Sequence, residues 1–130
     1  TVPLIFRLAG GMQGAQGTDR SKFEKLRTGS GCKIDGAEHR AITVEQLRRI
    51  RAYIQEHCVA EAWTDTRAPH NALQPTTVNL YQLLKHLIKP CTEVTQKSYV
   101  EFVASGPQDP KWFVSLWWGE SVLDFVLCLE

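Results

Sequence analysis

Cysteine, histidine and serine are the residues of this 130-residue chain whose side chains could attack a substrate, hold a metal or form a redox pair. Cys32, Cys58, Cys91 and Cys128 contain no Cys-x-x-Cys pair, so neither a zinc ribbon nor a thioredoxin-type redox motif is available. Cys58 and Cys128 fall in apolar helical patterns, where a thiol acts as a small hydrophobe. Reduced structural thiols are therefore expected, with two disulfides or a dispersed metal site on His39, His57 or His86 as the alternatives. That cysteine usage points to an intracellular, cytoplasmic protein. Ser115 is not in a Gly-x-Ser-x-Gly elbow, and Cys91, with His86 five residues before it, is too little for a thiol protease. Gly29-Ser30-Gly31-Cys32-Lys33 lacks the Gly-Lys-Ser/Thr ending of a phosphate loop, and no His-Glu-x-x-His or EF-hand loop occurs. No catalytic residue, metal site or cofactor is read from these positions.

The elements that would position such groups follow from composition and periodicity. With 43% apolar residues the chain can fill one core, and a formal charge of +1 argues against a dedicated nucleic-acid binder. No apolar run approaches the ~20 residues needed to span a bilayer, and Thr1–Phe6 is too short for a signal-peptide core. Most of the nine glycines lie between 10 and 36, in a stretch read as a linker whose best hydrophobes are Phe23 and Leu26. Thr43-Val44-Glu45-Gln46 is a capping box, and Leu47, Ile50, Ile54 and Cys58 behind it make one apolar helical stripe. Arg48, Arg49 and Arg51 read as a solvated face of that helix. Residues 61–76 form a connection. A second helix is expected from Thr76 or Thr77, with Leu80, Leu83, Leu84, Leu87 and Ile88 inward, His86 on its solvated side, and Pro90 as its stop. Ser98–Ala104 is β-branched and aromatic and reads as a strand, closed by the turn Ser105–Pro110. Lys111–Trp117 reads as a second strand, apolar on both faces as in a buried sheet. Ser121 then caps a helix whose stripe is Val122, Phe125, Val126 and Leu129.

Two stretches resemble known families. Arg7, Leu8, Gly10, Gly11, Met12 and Gln13 match the junction of two ubiquitin units in polyubiquitin, with Ala9 where ubiquitin has arginine. The resemblance implies an outer strand ending in a tail that a deubiquitinase grips, with Gly10 and Gly11 as the processing site. Phe113-Val114-Ser115-Leu116-Trp117-Trp118-Gly119-Glu120 resembles the first strand and loop of a Toll/interleukin-receptor (TIR) domain. Residues 42–130 are more closely similar to a multi-copy protist family of dinoflagellate type with a WFVSHWWGE core; Leu116 stands where that family commonly has histidine. In TIR-like sheets ligands approach the carboxyl ends of the strands. The resemblance thus implies a nucleotide or partner site at Ser115, Trp117, Trp118, Gly119 and Glu120, with core packing as the plainer use of the tryptophans. Some TIR domains cleave NAD with a glutamate on a later helix and others are assembly scaffolds; Glu120 belongs to the loop and is not that glutamate.

The expected fold class is α+β: an extended N-terminal strand and linker, two amphipathic helices, then the first strand–helix unit of a TIR-like α/β sheet. The expected divisions are 1–11 (ubiquitin-like tail), 12–41 (Gly-rich linker), 42–97 (helical region) and 98–130 (start of the TIR-like region). A final helix without its sheet implies a piece of a longer protein, with Phe125 and Leu129 left exposed. The expected function is a non-catalytic protein-interaction or signalling module with protein partners and no nucleic acid, membrane or cofactor. The alternative is part of an NAD-consuming hydrolase whose catalytic residues lie beyond Glu130.

Overall fold

The computed structural model describes residues 20–130, so the ubiquitin-like tail with Gly10 and Gly11 lies outside the described residues. Helices organise the rest. Helix α1, Val44–His57, starts at the expected capping box: the Thr43 hydroxyl accepts the Gln46 N–H at 3.1 Å, and the Gln46 side chain accepts the Thr43 N–H at 3.0 Å. Its stripe buries Leu47, Ile50 and Ile54, with Cys58 at its end. The described part of the stretch read as linker is built into this core. Ser21–Leu26 forms a 3-10 turn against α1 that buries Phe23 and Leu26, and Ile34 is buried beyond it.

The second helical region begins later than its hydrophobic pattern suggests. Pro75–Thr77 is a separate 3-10 turn, and Asn79 caps α2, Leu80–Leu83, through a reciprocal box with Gln82. A π-helical turn, Leu84–Ile88, follows, and α3, Lys89–Thr92, continues it. Pro90 therefore does not stop the helix, contrary to expectation. In the wide turn the Lys89 N–H reaches back five residues to the Leu84 carbonyl. That shift moves the carbonyls that a proline ring would otherwise strike. Arg20 then takes up the Pro90 and Cys91 carbonyls at 2.8 and 2.9 Å.

The expected sheet is absent: the described residues contain no strand, and β pairing is limited to two isolated bridges, Arg40 with Gln108 and Thr64 with Ala72. The α+β, TIR-like reading is thereby corrected to a helical fold. Ser98–Ala104, read as a strand, is instead α4, Tyr99–Val103, packed on α3. Its Ser98-x-x-Glu101 box fixes a helix start, and local capping overrides the β preference of Tyr, Val and Phe. Lys111–Trp117 has no strand neighbour and runs as irregular extended chain. The last helix, α5, Val122–Leu129, is present as expected, capped by Ser121. It covers α1 and the Pro75–Thr77 turn, so Phe125 is buried rather than exposed and Leu129 packs at the edge of the core.

Candidate functional site

Segment 111–118 carries the residues that the sequence singles out, and its placement follows from two anchors. Val114 and Leu116 pack against the core, so the side chains alternating with them turn outward. Phe113 is 87% exposed, Trp117 75% and Trp112 72%, and Ser115 is exposed between them. The far end is tied to the helical region by backbone bonds: the Leu80 N–H donates to the Trp118 carbonyl at 3.1 Å, and the Val122 N–H donates to the Val78 carbonyl at 2.8 Å. These bonds bring Trp118 beside Tyr81, with ring centroids 5.3 Å apart and planes inclined by 50°. The reading of this segment as a strand buried on both faces fails because its outward rings meet no second layer.

Between this segment and the start of α2 lies an open groove of about 420 Å³. Trp117 and Tyr81 line its sides, Asn79 and Gln82 contribute from the start of the helix, and Asp65 and Arg67 reach it from the 61–76 connection. The Asn79 and Gln82 side-chain oxygens are committed to their reciprocal cap, so what these side chains can still offer is N–H donors. An Asp65 oxygen accepts the Arg67 N–H at 2.8 Å, and the Arg67 guanidinium stands 5.9 Å from the Tyr81 ring centre. Of the predicted site residues, Trp117 and Gly119 line the groove and Trp118 stacks behind Tyr81. Ser115 faces away into solvent, and Glu120 closes the turn by donating its N–H to the Trp117 carbonyl at 3.0 Å. Sequence reading missed Arg67, Asn79, Tyr81 and Gln82; the Asn79-x-x-Gln82 box was the one local signal that could have marked them.

Gly119 shapes the groove. A Cβ placed on it would lie 2.4 Å from the Trp117 indole, so the ring rests directly on glycine backbone. Gly119→Ala is expected to swing the exposed indole aside, visible as a changed Trp117 indole N–H resonance. The melting temperature should stay within about 2 °C, because the atoms that must move belong to a solvated side chain.

A second depression, of about 480 Å³, is lined by Gln108, Asp109, Lys111 and Trp112 with Thr43 and Val44. Beside it His39 Nδ1 lies 2.5 Å from Asp109, with Glu38 at 3.6 Å from the other ring nitrogen. The bond to Asp109 holds the His39 imidazolium against a small cost of burial and raises its pKa. A carboxylate-held histidine is half of a general-base pair, yet the hydroxyl lining this depression, Thr43, is already engaged in capping α1. His86 does not sit on a solvated face as expected. It stacks on buried Trp63, 5.0 Å centre to centre and within 6° of parallel, and Nε2 meets the Thr64 carbonyl at 3.0 Å. Burial lowers its pKa against the opposing pull of that carbonyl.

The four cysteines are free thiols. Cys58 and Cys91 are buried, burial pushes the Cys91 thiol up to about 12, and Cys128 is exposed rather than packed as its helical pattern suggests. Among the described residues no three His, Cys, Asp or Glu side chains converge as a metal site, and no helix is long and apolar enough to cross a membrane. Compared with known protein families, curated proteins and solved structures, the chain matches none.

Proposed function

We propose that this chain is a protein-interaction module whose binding face is the aromatic segment 112–118 together with Tyr81 and Arg67. The observation that carries this reading is the outward display of Trp112, Phe113 and Trp117 on a segment whose alternate residues, Val114 and Leu116, are anchored in the core. Fully burying one large apolar side chain is worth about 1.5–3 kcal/mol, so a folded chain that leaves three in water holds binding energy in reserve. Trp, Tyr and Arg are also the side chains that dominate binding energy at protein interfaces, and here all three border one groove. Near-zero net charge supports a protein partner over a nucleic acid.

Panning a random peptide library on the whole chain tests this. Wild type is expected to select a consensus that binds at least tenfold more weakly to Trp117→Ala and to Trp112→Ala/Phe113→Ala. Melting curves of these variants should stay within about 2 °C of wild type, since the rings removed are exposed. Failure to select any consensus, or a consensus bound equally by the variants, overturns the proposal.

A further inference from the structure

We infer that the groove between Tyr81 and Trp117 takes a proline-rich segment in polyproline II conformation, with a basic residue placed at Asp65; this rests on the interaction-module reading above. The groove's polar complement is unbalanced. Asn79 and Gln82 have only N–H groups left to give, and Arg67 and the Trp117 indole are donors with no acceptor. The one acceptor group among these polar side chains is the Asp65 carboxylate, one oxygen of which already receives the Arg67 N–H. A ligand suited to such a surface presents carbonyls and few N–H groups. A polyproline II segment does so, because proline lacks the N–H and the helix makes no internal hydrogen bonds. A sugar or an ordinary extended strand presents donors as often as acceptors, and this groove would leave those donors unmatched.

Ring geometry points the same way. Tyr81 and Trp118 are inclined by 50° rather than parallel, so the aromatic surface is ridged instead of a flat slot for a planar base. Pyrrolidine rings, which protrude every third residue at about 9 Å per turn, pack against such ridges. The ligand's conformation is also largely formed before binding, which limits the ordering cost on a groove this small. Asp65 beside the rings provides the counter-charge for a flanking arginine or lysine, and the guanidinium of Arg67 forms the opposite rim.

The test is calorimetric titration of the whole chain with an acetylated, amidated octapeptide of one arginine followed by seven prolines, against a control of one arginine followed by alternating glycine and serine. The expected Kd for the proline peptide is about 10 µM to 1 mM, the range open to a short peptide in a shallow groove. Tyr81→Ala and Trp117→Ala are expected to weaken binding at least tenfold, while Tyr81→Phe retains it. Asp65→Asn should weaken the arginine-bearing peptide about threefold and leave an octaproline unaffected. Absence of saturable heat at 2 mM peptide, equal binding of the glycine–serine control, or indifference to the Tyr81 and Trp117 variants overturns the inference. The library panning separates the two readings: a Trp117-dependent consensus without proline removes this inference and leaves the interaction module standing, whereas no consensus removes both.

Discussion

Glu101→Ala is expected to lower the unfolding free energy by about 3–5 kcal/mol, the scale for removing one partner of a buried charged network. Glu101 is only 5% exposed on α4, yet every one of its contacts ties a different piece of chain to that helix. One carboxylate oxygen accepts the Ile34 N–H at 2.9 Å; the other accepts the Ser98 N–H at 3.1 Å and the Ser98 hydroxyl at 2.9 Å, with the Arg40 guanidinium 3.5 Å away. Alanine would strand all four groups. Burial alone would raise the Glu101 pKa, but the Ile34 and Ser98 hydrogen bonds and Arg40 together outweigh it and hold the pKa below the ordinary value. A carboxyl depressed in the folded state contributes its stability fully above its unfolded pKa of about 4.3 and loses it as pH falls through the lower folded value. Urea unfolding at pH 7 and at pH 3 should therefore show a smaller cost of the mutation at pH 3, with Glu101→Gln flattening the acid limb. A loss below about 1 kcal/mol at pH 7 would show that the network is dispensable.

Trp63→Ala should cost a comparable 3–5 kcal/mol, the range for removing a large aromatic from a core. Trp63 is 2% exposed and lies in a train of rings: Phe23 to Tyr53 at 6.1 Å, Tyr53 to Trp63 at 6.1 Å, and Trp63 to His86 at 5.0 Å. Its indole N–H donates to Glu61 at 3.2 Å, and Glu61 also binds Lys22 and His57, so the side chain links the 3-10 turn Ser21–Leu26, the end of α1 and the π-turn. For a chain of this size the melting temperature should fall by roughly 10–20 °C. The same substitution at Trp117 should leave it nearly unchanged. Two tryptophans of one chain would then be separated by calorimetry into a packing residue and a binding residue; equal shifts would contradict that division.

How much of this was legible in the sequence depended on whether the deciding interaction was local. Thr43 and Gln46 lie three residues apart and start α1 as read. Ser121 and the stripe behind it do the same for α5. The same box recurs at Asn79–Gln82 and Ser98–Glu101, but there the apolar pattern spoke louder. Tyr99, Val100, Phe102 and Val103 suit a strand by preference, and only the cap decides for a helix. Lys111–Trp117 failed for a different reason. A buried strand and an exposed binding segment are equally apolar, and the difference lies in whether another layer covers them, which no local spacing encodes. Phe23 and Leu26, amid glycines, likewise owe their burial to α1 rather than to their neighbours in sequence. The groove was half visible for the same reason: Trp117 and Gly119 belong to one motif, whereas Tyr81, Asn79 and Arg67 join them only through the bonds from Leu80 to Trp118 and from Val122 to Val78.

The π-turn at Leu84–Ile88 also bears on how this chain can change length over evolutionary time. A single π-turn is equivalent to one inserted residue absorbed by a continuous helix. Deleting any one residue there would restore regular α geometry and rotate everything downstream by about 100° relative to the core. Cys91 and Thr92, both buried, would leave their seats, and the carbonyls held by Arg20 would turn away from it. Pro90 would also regain the helical geometry in which its ring collides with the preceding turn. In relatives of this chain, the residue count between Asn79 and Pro90 should accordingly be held more tightly than the identity of most residues within it, a constraint on indels rather than on substitutions.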